Sequence, residues 1–569
     1  MKKIFTSILL TVCGLMLAVG CIEEATPSAL ATSSDDILGG DIIVSGDQAL
    51  EAPGSFDNFV SAITNSLCGS FVFNSEQTYP WDYGYPSFYI VRDVMGQDIV
   101  LPTSGSEWYS TWYQVGSNLT PNSAYSDLPW VYYTSWIKSC NVVIGAAGSD
   151  PKPEQLAGLG IAHAMRAMFY MDLARMYAPK SYLQDKDALT VPIVDENTTT
   201  EQAVNNPRAT NEKMWAFILS DLDKAEVELK DYIRPDVYTP DSTVVKGLKA
   251  RAYLETGVYD KAEQYAHDAQ TGYSILTKEQ YLDKNNGFNS PNAAWMFGLT
   301  FKSDDKNIEL NDADSCWGSQ MIIEVSASGC GYACNYVGPK RIDAHLFSTI
   351  PDTDFRKMCF LDPALDDIAT WADLETELKK YTDDPAGVYK TCVQKDAAGM
   401  LGYAEIKFRP KDGEHADQYK AFTVAVPMMR VEEMYLIEAE AAGMQDVTRG
   451  ENLLTAFVKN HRDDAYVYGT HNEQYGNSAN SAFQNEVWWQ RRVEFWGEGF
   501  ATFDIKRFGK GIIRNYAGTN HTEGYLWNLT EVPSWMTFCF YISEANYNRA
   551  LVNNPIPIVP ESDSAEYVF

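Results

Sequence analysis

The sequence predicts a mainly α-helical protein built from stacked helical pairs, and two observations carry that prediction. Apolar stripes at helical spacing recur along most of the chain, and one stretch, Gly247–Ala266, reads as a tetratricopeptide-like hairpin. Gly257 falls in the turn, Ala250 and Tyr253 at the small and aromatic positions of the first helix, and Tyr259, Ala262, Ala266 and Ala269 on the inner face of the second. Small residues at these spacings let two helices approach closely. A single hairpin cannot bury its own apolar face, so further pairs are required.

They are present in the pattern. Gln155–Tyr177 carries Met165, Phe169, Leu173 and Met176 on one stripe, and Pro179 stops it. Asn211–Lys230, with Trp215, Ile218, Leu222 and Ala225, is its expected partner. Met428–Ala442 and Gly450–His461 form a hairpin around Gly443, and Trp130–Ala147 and Glu486–Arg507 complete the long helices. Between them lie long aromatic, turn-rich stretches, Phe71–Tyr125, Tyr273–Ile350 and Thr391–Tyr419. Loops of that length inside a folded unit are usually functional, so they supply the candidates for a binding face.

The chain opens with Lys2 and Lys3, an apolar run from Ile4 to Val19, and small residues before Cys21. The run is too short to span a bilayer, which takes roughly 20 residues, and matches a secretory signal. Ala18, Gly20 and Cys21 resemble a bacterial lipobox, which makes 1–20 a lipoprotein signal peptide and Cys21 the lipidated first residue. Residues 21–45, rich in Ser, Thr, Ala and Pro, read as a flexible lipid-anchored tether. The remainder, 46–569, is expected to be one domain: a helical part at about 46–272, a loop-rich inserted region at about 273–425 and a second helical part at about 426–569.

Composition narrows the function. Of 569 residues 45% are hydrophobic and 21% charged, ample for a core. The net charge of −32 makes nucleic acid and anionic membrane surface poor partners. The 14 Trp and 34 Tyr exceed what a helical core needs and suit a surface that stacks on sugars or peptides. Among 10 Cys only Cys330 and Cys334 are closely spaced, and the 7 His form no His-x-x-x-His pair, so no zinc site is expected. There is no Gly-x-Ser-x-Gly elbow and no Walker loop. Gly158 and Gly160 begin like a dinucleotide loop, but His163 stands where a third glycine belongs, and helix entry is the better account. Asp312 with Asp314, and Asp352 with Asp354, lack the other ligands of a calcium loop. No catalytic residue, metal or cofactor is therefore assigned.

Four segments, spread from end to end, carry a family resemblance: Trp136–Ile144 with Cys140 and Asn141; Ala164–Tyr177 with Arg166, Phe169, Tyr170, Asp172 and Arg175; Arg430–Ala441 with Glu432, Glu433, Tyr435, Glu438 and Glu440; and Arg491–Phe500 followed by Asp504 and Arg507. Together with the lipobox and the hairpin at Gly257 they resemble the SusD/RagB family of nutrient-binding outer-membrane lipoproteins. Glu23 and Glu24 after the lipid cysteine also resemble the surface-export signal of Bacteroidetes lipoproteins. The resemblance implies a right-handed α-α superhelix of about four tetratricopeptide-like pairs with irregular insertions, anchored at the cell surface. It implies a protein that binds oligosaccharide without cleaving it and sits as a lid on a SusC-like TonB-dependent transporter; the alternative is RagB-like binding of peptides or glycopeptides.

By that resemblance the ligand-contacting rings come from the loops. Trp81, Tyr83, Trp108, Trp112, Tyr113, Trp295 and Trp317 are the expected stacking residues, with Tyr85 and Tyr109 beside them and Asp98, Gln97 and Asn292 as hydroxyl partners. Trp108–Tyr113 is the least core-like stretch. The charged residues Arg491, Arg492, Glu494, Glu498, Asp504 and Arg507 are expected to form buried or half-buried ion pairs that tie the last helices to the stacked helical pairs, with Glu494 beside Glu498 and near Arg491 by helical spacing.

Overall fold

The computed structural model describes residues 54–69, 79–102, 107–116, 118–285, 287–309, 313–325, 331–333, 338–389, 401–477 and 479–569. The expected signal, tether and lipid site at Cys21, and the pair Cys330 and Cys334, lie outside the described residues. Helix makes up 49% and strand 6% of the structure, which is the helical class the sequence predicts.

The longer helices are α1 (Ser55–Asn65), α2 (Ser87–Val94), α3 (Ala124–Ala147), α4 (Leu156–Tyr177), α5 (Asn211–Glu228), α6 (Ser242–Thr256), α7 (Tyr259–Ala269), α8 (Val431–Gly443), α9 (Val447–His461), α10 (Ala482–Glu494) and α11 (Ala501–Phe508). Side-chain caps set five of these starts. Ser123, Thr210, Asp241, Asp446 and Ser481 each accept a first-turn N–H, and Ser481 with Gln484 forms a reciprocal capping box. The α6–α7 hairpin turns at Gly257, whose φ of 73° lies in the left-handed region that a residue with a Cβ avoids.

Helices α3 to α9 stack side by side in chain order, α7 bridging to α8 across the long insertion. Helix α4 is buried nearly all round, from Gly158 to Tyr177. Its end is held by buried cations. Lys506 donates to the carbonyls of Arg175 and Ala178 at 2.6 and 2.7 Å, and Arg208 donates to that of Tyr177 at 3.1 Å, where the helix dipole favours positive charge. Arg514 does the same for α2, reaching the Val94 carbonyl at 3.1 Å.

Two expected boundaries change. Met428–Arg430 is not the start of a helix but the end of strand β4 (Ala425–Arg430), which pairs antiparallel with β2 (Trp295–Thr300) inside a region read as loop. Arg430 is fully extended at φ −121° and ψ 152°, and α8 begins only after it. Glu486–Arg507 is not one helix either. It breaks after Glu494, and Gly497 and Gly499, at φ 77° and 80°, reverse the chain into α11. Two further short ladders, β1 (Ile99–Val100) with β3 (Arg341–Ile342) and β5 (Ile512–Ile513) with β6 (Asn528–Leu529), pin the loops. The insertion has a small core of its own around Leu361, Leu374, Leu378, Tyr389 and Ile406.

Helices α8 and α9 approach so closely that a Cβ on Gly450 would stand 2.3 Å from the Gly443 Cα. Gly450→Leu is expected to lower stability by about 1–3 kcal/mol through overpacking, read as a fall in the urea midpoint at unchanged slope.

Candidate binding site

The loop-rich region gathers aromatic rings in two layers. In the inner layer Trp81 meets Trp112 edge-on at 6.3 Å, Trp112 tilts against Tyr109 at 5.6 Å, and the Tyr83 and Tyr109 hydroxyls bond each other. Beneath Tyr109 lies a buried pair: Lys340 Nζ is 3.6 Å from Glu107 Oε2 and donates to the Gln320 carbonyl at 2.9 Å. Burial lowers the Lys340 ammonium below its usual range, opposed by Glu107.

The outer layer is half-buried. Tyr79 stacks flat on Trp81 at 4.6 Å, Tyr125 stands edge-on to Trp112 at 4.8 Å, and Trp108 meets Tyr332 edge-on at 6.1 Å. The Tyr332 N–H donates to Ser319 Oγ at 3.0 Å, which holds that ring against Trp108. The Trp108 indole N–H has no acceptor among the described residues. That nitrogen is buried, so what the half-buried ring can offer a ligand is its apolar face.

Of the eight residues singled out by sequence, the structure leaves only Trp108 at this edge. Trp81, Tyr83, Asp98, Trp112, Tyr113, Trp295 and Trp317 are each no more than 5% exposed. Rings without an accessible face cannot stack on a ligand in this conformation, so their role here is packing. Tyr113 bonds His521 Nδ1 at 2.8 Å under the guanidinium of Arg514, Trp295 begins β2, and Trp317 packs edge-on to Phe408 at 4.7 Å. Asp98 is not a hydroxyl partner: both its oxygens lie 3.0 Å from Arg492 Nε. Gln97 and Tyr85 are buried, and Asn292 turns onto its own loop, donating to the Ser290 carbonyl at 2.9 Å. Sequence reading passed over Tyr79, Tyr125 and Tyr332. Tyr332 follows Gly331 in the interval between Cys330 and Cys334, where the cysteines drew attention from the ring.

The charged motifs form a buried lattice that ties the last helices to the rest of the chain, as expected, through partners far along the sequence as well as at helical spacing. Glu494 accepts from Arg356 at 3.1 Å, Arg430 at 3.1 Å and Arg462 at 2.8 Å. Glu498 accepts from Arg430 at 2.9 Å and Lys407 at 2.5 Å; Asp504 accepts from Arg491 at 2.7 Å and Arg507 at 3.0 Å. A second node sits on α4. Asp172 accepts from Arg92 at 3.1 Å, Arg175 at 2.6 Å and the hydroxyls of Tyr85 and Tyr133, while Arg166 ties Asn141 on α3 to Asp221 on α5. Burial works to raise the Glu494 carboxyl, but Arg462, Arg430 and Arg356 outweigh it and hold it well below the usual range. A carboxylate so held is no general acid at neutral pH.

Against known proteins, the family model described as the SusD family matches residues 395–557. A SusD-like carbohydrate-binding protein from Bacteroides vulgatus ATCC 8482 is 21% identical, with 88% of this chain and 97% of that chain covered at a TM-score of 0.66. A SusD superfamily protein from Bacteroides thetaiotaomicron VPI-5482 is 19% identical, with 88% and 99% covered at 0.64. The C-terminal segment thus matches the SusD family, and the fold is SusD-like along 88% of the chain. Surface glycan-binding protein A from Bacteroides thetaiotaomicron, solved with laminarihexaose, shares this SusD-like fold at a TM-score of 0.60, 15% identity and coverage of 88% and 99%. No curated protein matches the sequence.

Because its folded-state carboxyl is depressed, Glu494 contributes stability that is full above the ordinary glutamate value, about 4.3, and is lost as pH falls through the depressed value. Glu494→Gln is expected to cost about 3–5 kcal/mol at pH 7, by leaving three buried guanidiniums undercompensated, and to flatten the fall in stability below about pH 4. Chemical denaturation of both proteins from pH 3 to 8 reads both effects.

Proposed function

We propose that this protein binds oligosaccharide at the outer surface of the cell and passes it, uncut, to a SusC-like TonB-dependent transporter, held to the outer membrane by lipid on Cys21. The observation that carries the reading is the likeness of fold along 88% of the chain to SusD-like proteins, among them a laminarin-binding SusD-like protein and the laminarihexaose-bound glycan-binding protein. The edge formed by Trp108 and Tyr332 supports it, since two half-buried rings in edge-on contact offer the apolar face that a sugar ring packs on. The absence of cleavage is supported by the chemistry of the acidic motifs. Glu494, Glu498 and Asp504 are buried and engaged by arginine or lysine, so they neither reach a glycosidic bond nor hold a proton for its leaving oxygen.

Isothermal titration of the purified protein against plant, host and microbial oligosaccharides tests the reading, and silence across that panel would sink it. Peptides co-purifying with the native protein would favour the RagB-like alternative. For the glycan that binds, Trp108→Ala is expected to weaken affinity by about tenfold or more, ~1.4 kcal/mol, at unchanged melting temperature. Trp317→Ala is expected instead to cost about 3–5 kcal/mol of stability. Cys21→Ser is expected to move the protein from the membrane fraction to the soluble fraction of fractionated cells.

A further inference from the structure

The rings of Trp108 and Tyr332 come from segments far apart in the chain, so their edge-on contact at 6.1 Å depends on how each segment is fixed. Trp108 lies in a turn closed by its neighbour Glu107. The Glu107 carboxylate accepts the Tyr109 N–H at 3.0 Å, and the Glu107 carbonyl accepts the Ser110 N–H at 3.1 Å. Tyr332 hangs on the short helical turn Trp317–Met321, through the bond from its N–H to Ser319 Oγ at 3.0 Å.

One buried cation reaches both. Lys340, 1% exposed, holds its Nζ 3.6 Å from the second carboxylate oxygen of Glu107 and donates at 2.9 Å to the carbonyl of Gln320, the residue next to Ser319. Its own backbone belongs to the frame: the Lys340 carbonyl accepts the Glu405 N–H at 3.1 Å, and β3 begins at the next residue, paired with β1. The Gln320 side chain carries the tie further, donating at 3.3 Å to the Pro80 carbonyl, between Tyr79 and Trp81. An ammonium brings several donors on one point charge, and buried contacts of this kind are stronger than surface ones because solvent does not screen them.

We propose that Lys340 is a positioning residue for ligand capture, setting Trp108 in register with Tyr332 through Glu107 on one side and Gln320 on the other. The purpose of that register rests on the capture reading above; the tie between the two rings does not. Register matters to a sugar ring because two side chains offer one continuous apolar face only while they stay in contact. Lys340 meets no ligand itself, since it lies under Tyr109 with its ammonium 5.5 Å from that ring. A Lys340 that did no more than neutralise Glu107 would change stability and leave the rings where they are.

Lys340→Met alone strands the Glu107 carboxylate in the interior. The test therefore also uses the paired variant Lys340→Met with Glu107→Gln, which removes both charges and keeps an acceptor for the Tyr109 N–H; it carries the test should the single variant not fold. The full chain is labelled with 5-fluorotryptophan, and the signals of Trp108 and Trp215 are assigned by their loss in Trp108→Phe and Trp215→Phe. Without ligand, the Trp108 fluorine signal of the paired variant is expected to shift and broaden, while that of Trp215 on α5 stays in place. An unmoved Trp108 signal overturns the proposal, whether or not a sugar binds. For whichever of laminarihexaose, maltohexaose, cellohexaose and xylohexaose the wild type binds, the paired variant is expected to bind about tenfold more weakly, ~1.4 kcal/mol. Adding Trp108→Ala to it is expected to weaken binding no further than Trp108→Ala alone. Full affinity in the paired variant, or losses that simply add, overturn the proposal as well. Silence of the wild type toward all four sugars counts against the capture reading instead, and the fluorine signal still decides whether Lys340 sets the rings.

Discussion

Three guanidiniums, from Arg356 in the insertion, Arg430 at the end of β4 and Arg462 after α9, converge on the one carboxylate of Glu494 at the end of α10. Each ion has left water at a cost of several kcal/mol, and only the mutual geometry returns it. The consequence is architectural. The insertion, the second helical part and the last helices cannot shift relative to one another without stranding a buried charge. Glu498 and Lys407 extend the constraint, and the reversal at Gly497 and Gly499 exists where Glu498 must turn back toward Arg430.

The first helical part uses the same device with different members. Asp172 and Arg166 both project from α4, one gathering Tyr85, Arg92 of α2 and Tyr133 of α3, the other Asn141 of α3 and Asp221 of α5. Aromatic rings that a surface-minded reading assigns to ligand are thereby drawn into the frame. Tyr85 is a hydrogen-bond donor to a buried carboxylate before it is anything else. The proposed capture role benefits from this arrangement, because a frame that does not yield would keep the rings of Trp108 and Tyr332 in register with little ordering cost on binding.

The helical pairs were legible because their signals are local: Gly257 in the turn, alanines on the inner face of α7, and the stripe of α4 closed by Pro179. The ion lattice was legible in kind, since Arg491, Arg492, Glu494, Glu498, Asp504 and Arg507 lie too densely among apolar residues to be a solvated face. The proposed binding rim was not. Trp81, Trp112 and Trp317 carry the same composition and the same turn-rich setting as Trp108, and nothing in one dimension says which ring keeps an open edge.

By itself the sequence determined the helical class, the hairpin units, the acidic charge and the motif residues that became the lattice, because spacing and residue type decide those within a few turns of chain. Tertiary structure alone decided that Met428–Arg430 is a strand, that α10 and α11 are two helices, and that one tryptophan of five stands at the surface. The reason is that pairing partners and burial are set by segments hundreds of residues away: β4 needs β2, Glu494 needs Arg356, and a ring is exposed only by what fails to cover it.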